Sequence, residues 1–71
     1  MTEKYLGFKI KKLREEKNMS QEELADKLNI SQSKLSKIEN GRLHLDLLFI
    51  VNFCKCLSVD MDDFLDKSNL T

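Results

Sequence analysis

Apolar residues recur along this chain at helical spacing, in five runs separated by short polar breaks. Leu6, Ile10 and Leu13 stand at i, i+4 and i+7, which predicts an amphipathic first helix over about residues 4–17. Lys9, Lys11, Lys12 and Lys17 fall off that stripe and are expected to face solvent. Ser20-Gln21-Glu22-Glu23 is a capping box: the serine hydroxyl can accept from the Glu23 amide while the Glu23 side chain reaches back to the Ser20 amide. The helix opened there carries Leu24, Ala25 and Leu28 on one face and ends at Asn29, which tolerates positive φ. Ser31 caps a third helix, Gln32 to Glu39, with Leu35 and Ile38 inward and Gln32, Ser33, Lys34 and Lys37 outward; Gly41 closes it. Asp46 is the N-cap of a fourth helix reaching about Leu57, with Leu47, Ile50, Phe53, Cys54 and Leu57 as its inner face. Leu48, Phe49 and Val51 lie outside or at the border, so this helix is apolar nearly all round. Asp60 and Asp63 mark a fifth start, whose Met61, Phe64 and Leu65 close the core.

Composition narrows this to one small helical unit spanning residues 1–71. A 71-residue chain buries only about 60% of its unfolded surface, so a partner would add stability. With 41% hydrophobic and 34% charged residues it is too apolar for disorder, and no proline and two glycines leave nothing to act as a linker. The longest mostly apolar run, Leu43 to Val51, is interrupted by His44 and Asp46 and is too short to span a bilayer. Thr2-Glu3-Lys4 leads straight into amphipathic sequence without a signal peptide, so the expected location is cytoplasmic, with no membrane partner. Cys54 and Cys56, two apart on a helix, point about 200° away from each other and cannot bridge. They are expected as reduced thiols. The glycosylation patterns at Asn18-Met19-Ser20, Asn29-Ile30-Ser31 and Asn69-Leu70-Thr71 carry no weight without an export signal. His44 reads as a loop residue, and it lacks companions for a metal site. Neither a nucleophile with its base, nor paired carboxylates, nor a glycine-rich phosphate loop can be drawn, which argues against an enzyme and against any cofactor.

The stretch from Gln21 to Gly41 resembles the helix-turn-helix of the Cro and phage-repressor (XRE-like) family. Ala25 falls where two crossing helices touch, Asn29 stands at the turn, Leu24, Leu28, Ile30, Leu35 and Ile38 take the buried positions, and Ile38-Glu39-Asn40-Gly41 is a further match. Asn29 stands where the family often has glycine, and Leu45 where it often has proline. The resemblance covers residues from about 6 to 65. It implies an all-α, compact five-helix, lambda-repressor-like DNA-binding domain with the motif at helices 2 and 3.

That family places the third helix in the major groove, N-terminal residues nearest the base edges. Gln32 is then the leading base reader, because its amide complements adenine N7 and N6; Ser33, Lys34 and Lys37 complete the set. The resemblance implies that Gln21 touches a phosphate beside the free amides of its helix and braces Gln32. Ser31, Asn40 and Arg42 are further phosphate candidates, with His44 at most one more, the arginine fork being well suited to phosphate oxygens. Arg14 is expected to pair with Glu39 while lying near a phosphate. If that pair is buried, removing one side costs about 3–5 kcal/mol; if exposed, the pair is worth about 0–1 kcal/mol. Relatives dimerise through the C-terminal part, which makes Leu45, Leu48, Phe49 and Val51 the candidate self-association surface.

Net charge is zero, yet residues 1–42 carry ten Lys/Arg against seven Asp/Glu and residues 43–71 two against five, so a basic half (+3) faces an acidic half (−3). The motif lies in the basic half. The leading expectation is a sequence-specific regulator of transcription that binds double-stranded DNA as a homodimer on a pseudo-palindromic operator, with no small-molecule ligand. The alternative is a protein-interaction module or antitoxin-like adaptor on the same fold, with DNA binding secondary. Zero net charge and the acidic residues Asp60, Asp62, Asp63 and Asp66 favour it, and a steep fall of DNA affinity with salt would count against it.

Overall fold

Helix starts coincide with their caps throughout the computed structural model, which describes residues 2–65. In order these are α1 (Glu3–Glu16), α2 (Gln21–Leu28), α3 (Gln32–Glu39), α4 (Leu47–Leu57) and α5 (Met61–Leu65), with no strand among the described residues. Thr2 accepts from the Tyr5 amide at 3.1 Å and so begins α1 at Glu3, one residue before the apolar stripe predicts. At α2 both halves of the capping box form: Glu23 N–H to Ser20 Oγ at 3.0 Å and Ser20 N–H to Glu23 Oε1 at 2.9 Å. That backbone bond from Ser20 holds the Glu23 carboxyl below its usual range. Ser31 and Asp46 cap α3 and α4 in the same way, at 3.0 and 2.8 Å. Asn29 ends α2 at φ 58°, as expected of a residue whose short amide tolerates the left-handed region.

α1 packs against α3, α2 against α3 and α4, and α5 against α4, around a core in which Ile10, Leu24, Leu35, Ile38, Phe53 and Phe64 are fully buried. Phe53 and Phe64 meet at 5.4 Å between ring centroids, tilted by 58°, which avoids the face-to-face stacking that aromatic quadrupoles disfavour. Both glycines lie where α1 approaches the end of α3. A Cβ at Gly7 would overlap the Ile38 carbonyl oxygen and stand 3.0 Å from that of Glu39, so α1 crosses α3 backbone to backbone. Gly41 takes φ +73° and a Cβ there would lie 2.6 Å from Lys4 Cγ. Only glycine satisfies both demands.

Three expectations are corrected. Leu45, placed on the outer surface from sequence, is buried in the core, whereas Leu47, placed on the inner face of α4, is 66% exposed. Leu47 is the first residue of α4, where the helical period no longer guarantees a neighbour opposite, and Leu45 in the loop before it joins the buried core cluster instead. Lys9 is not simply solvated: its ammonium donates to the Phe64 carbonyl and lies 5.4 and 5.2 Å from the Tyr5 and Phe64 ring centroids. It thereby ties α5 back to α1, with a cation over two aromatic faces.

Cys54 is buried, which raises its thiol pKa, and Cys56 is exposed; both are free. No helix among the described residues is long and apolar enough to cross a membrane. Asp66 and the Asn69-Leu70-Thr71 pattern lie outside the described residues.

Candidate nucleic-acid interface

α3 divides cleanly into two faces. Leu35, Ile38 and Glu39 are buried, while Gln32, Ser33, Lys34 and Lys37 are all exposed. The four expected base readers all lie on the exposed side of α3, Ser33 and Lys37 near its middle and Gln32 and Lys34 toward its two edges, and bring two positive charges to it. Near its start the Ser31 hydroxyl accepts from the Lys34 amide, which leaves its own hydrogen free to donate outward. Beyond its end Asn40 is exposed with its amide donating to the Ser36 carbonyl at 2.8 Å, and Arg42 is exposed with its backbone N–H on the Lys37 carbonyl at 2.8 Å. Arg42 thus continues the helix end as a solvent-exposed residue.

Behind that surface lies a buried polar hub. The Glu39 side chain is 1% exposed and receives Arg14 Nε at Oε2 (2.7 Å) and Arg14 Nη2 at Oε1 (3.2 Å), a two-point ion pair. Its hydrogen bond raises the guanidinium pKa still further. Arg14 Nη1 donates to the Met19 carbonyl at 2.8 Å, holding the link into α2. Gln21 Nε2 then donates to Glu39 Oε1 at 2.9 Å. Every buried side-chain nitrogen and oxygen among the described residues has a partner.

Two expectations change here. The Gln21 amide nitrogen braces Glu39 rather than Gln32, because α2 begins beside the end of α3. Arg14 is turned inward, with Nε and both Nη atoms engaged by Glu39 and Met19, so its fork is directed to the protein and not outward to a phosphate. His44 also behaves locally: it is 82% exposed and meets Glu3 at 3.0 Å, a contact that lowers the Glu3 carboxyl pKa. Leu48, at 68% exposure, is open beside Leu47, while Phe49 and Val51 are half-buried and Phe49 packs on the core. No cluster of metal-ligating side chains occurs among the described residues.

Gly7, the Lys9 anchor and the Gln21–Glu39 bond escaped the sequence reading. Only Gly7 left a signal, since glycine within a helix costs about 0.5–1 kcal/mol against alanine and therefore asks for a reason.

A family model described as helix-turn-helix matches residues 10–64. Over 62 residues the chain is 34% identical to an HTH-type transcriptional activator, BcrR, of Enterococcus faecalis, covering 87% of this chain but only 30% of that protein. The chain thus spans less than a third of that relative's length. Among solved structures, the clp gene regulator ClgR from Corynebacterium glutamicum superposes with a TM-score of 0.88 at 25% identity, covering 97% of this chain and 90% of that one. The restriction-modification controller protein C.Esp1396I superposes with a TM-score of 0.82 at 34% identity, covering 92% of this chain and 84% of its own. With five helices, a capped α2–turn–α3 unit and an outward polar face on α3, the chain belongs to the XRE-type helix-turn-helix family of DNA-binding regulators of transcription.

Proposed function

We propose that this domain binds double-stranded DNA sequence-specifically, with α3 in the major groove and two copies on a pseudo-palindromic operator whose half-sites lie about one helical turn apart. The exposure of Gln32, Ser33, Lys34 and Lys37 on the face opposite the core carries this reading. Gln32 reads adenine through its two-headed amide, and Lys37 reaches guanine or a phosphate. Gln21, Ser31, Asn40 and Arg42 fix the register on the backbone, with Arg42 the strongest because its guanidinium is unburied. Arg14 acts through Glu39. The copies associate through α4, where Leu48 and the half-buried Phe49 and Val51 form the surface, with Leu47 taking the place expected for Leu45. The protein works in the cytoplasm.

Selection of duplexes from a random pool tests this first, with a palindromic consensus as the expected result. On that duplex Gln32→Ala loses about 1–3 kcal/mol at one base position, whereas Arg42→Ala weakens every sequence alike and flattens the salt dependence. Weak, sequence-blind binding beside a tight protein partner would instead favour the interaction-module reading, which the exposed leucines of α4 support.

A further inference from the structure

We propose that Gln21 is a specificity-determining positioning residue: through its bond to Glu39 it fixes the angle at which α3 meets the base edges. The inference rests on the DNA-binding reading above. Glu39 is the last residue of α3, Gln21 the first of α2, and Arg14 lies in the last turn of α1. Their side chains meet on one carboxylate, with Gln21 Nε2 at 2.9 Å and Arg14 Nη2 at 3.2 Å sharing Oε1, and Arg14 Nε at 2.7 Å on Oε2. Three helix ends are thereby pinned on a carboxylate that is itself almost wholly buried.

Apolar packing of Leu24 and Ala25 against Leu35 and Ile38 keeps α2 and α3 in contact, but such packing is non-directional and tolerates small rotations. Hydrogen bonds to a buried carboxylate do not, because they weaken steeply with angle and are charge-assisted. A turn of α3 about its axis, or a tilt at its C-terminal end, would carry Glu39 off Gln21 and leave the shared oxygen short of a donor. Gln32, Ser33, Lys34 and Lys37 would swing with it. An amide nitrogen carries two hydrogens, of which Glu39 takes one. The other remains for a phosphate at the start of α2, so the same group that grips the backbone also aims the reading helix. Gln21 is itself only half-buried, and its replacement spares the ion pair.

The test uses the full chain and the duplex it selects from a random pool. Dissociation constants are measured for that duplex and for its single-base-pair variants, with wild type, Gln21→Met and Arg42→Ala. Methionine keeps the length of glutamine and removes the donor. Ratios between duplexes cancel any loss of folded protein, since a smaller active fraction weakens all of them by one factor. Gln21→Met should lower the discrimination against variant duplexes about tenfold, the scale of coupling within one hydrogen-bonded network. Arg42→Ala should leave the ratios unchanged while weakening every duplex. If Gln21→Met also keeps the wild-type ratios, Gln21 is a plain backbone contact and the positioning role is overturned. If wild type selects no consensus at all, the DNA-binding reading fails and this inference with it.

Discussion

The halves on either side of Arg42 are held together by different physics. In the first, α1, α2 and α3 are short, polar on their outer faces and fastened by directional contacts: three side-chain N-caps, a two-point ion pair and an amide that locks onto it. In the second, α4 keeps one such cap, Asp46, but has an apolar sequence nearly all round and is fastened mainly by burial of Ile50, Phe53, Cys54 and Leu57, with Leu47 and Leu48 left in solvent. Directional bonds define an orientation, and burial defines only proximity. A helix that must present four side chains in register belongs in the first half. A surface that must meet another surface can be built in the second.

The sharpest way to break that contrast is at its hub. Glu39→Ala leaves the Arg14 charge buried without its partner and should cost about 3–5 kcal/mol in urea denaturation, enough to unfold a domain of this size. A loss below about 1 kcal/mol would mean the pair behaves as a surface contact, and the two halves would then differ little. Next comes Gly7→Ala. Alanine is the better helix former, yet its methyl would collide with the Ile38 carbonyl, so a net loss of about 1–3 kcal/mol is expected in thermal unfolding. A gain instead would show that the α1–α3 crossing can open without penalty.

In the second half, Leu48→Lys should leave the far-ultraviolet circular dichroism unchanged while weakening self-association about tenfold in sedimentation experiments, because the side chain is already exposed. Unchanged association would move the interface elsewhere on the molecule. The smallest effect concerns pH. Hydrogen bonds from Ser20 and His44 depress the Glu23 and Glu3 carboxyls from 4.5, so below that pH the unfolded chain binds more protons than the folded one. Their stabilisation is present above pH 4.5 and is lost as pH falls through the depressed folded values. Glu23→Gln should therefore make stability less steeply pH-dependent in that acid range, measured by melting temperature against pH.

What could be read from sequence was local. Ser20, Ser31 and Asp46 announce the helices they cap, and Asn29 its left-handed stop, because each signal lies within four residues of its effect. The outward face of α3 was equally legible from the positions of Leu35 and Ile38. Arg14–Glu39, 25 residues apart, came from the family resemblance and not from any spacing. Two of the misplaced features were settled by neighbours distant in the chain, Lys9 finding Phe64 and Gln21 finding Glu39. The exchange of Leu45 for Leu47 took place at the very start of α4, where the helical period no longer decides burial. Periodicity tells which way a side chain points relative to its own helix, but not what stands opposite it.

The central claim is that the polar face of α3, aimed by the hub behind it, is the surface that meets DNA. The most direct test is a nuclear magnetic resonance titration of the isotope-labelled chain with its selected duplex, following backbone amides and the Gln21 and Gln32 side-chain amides. The largest shifts should fall on Gln32, Ser33, Lys34 and Lys37, on the first turn of α2 and on Asn40 and Arg42, with α5 unmoved. Shifts concentrated on α5, with α3 silent, would contradict it.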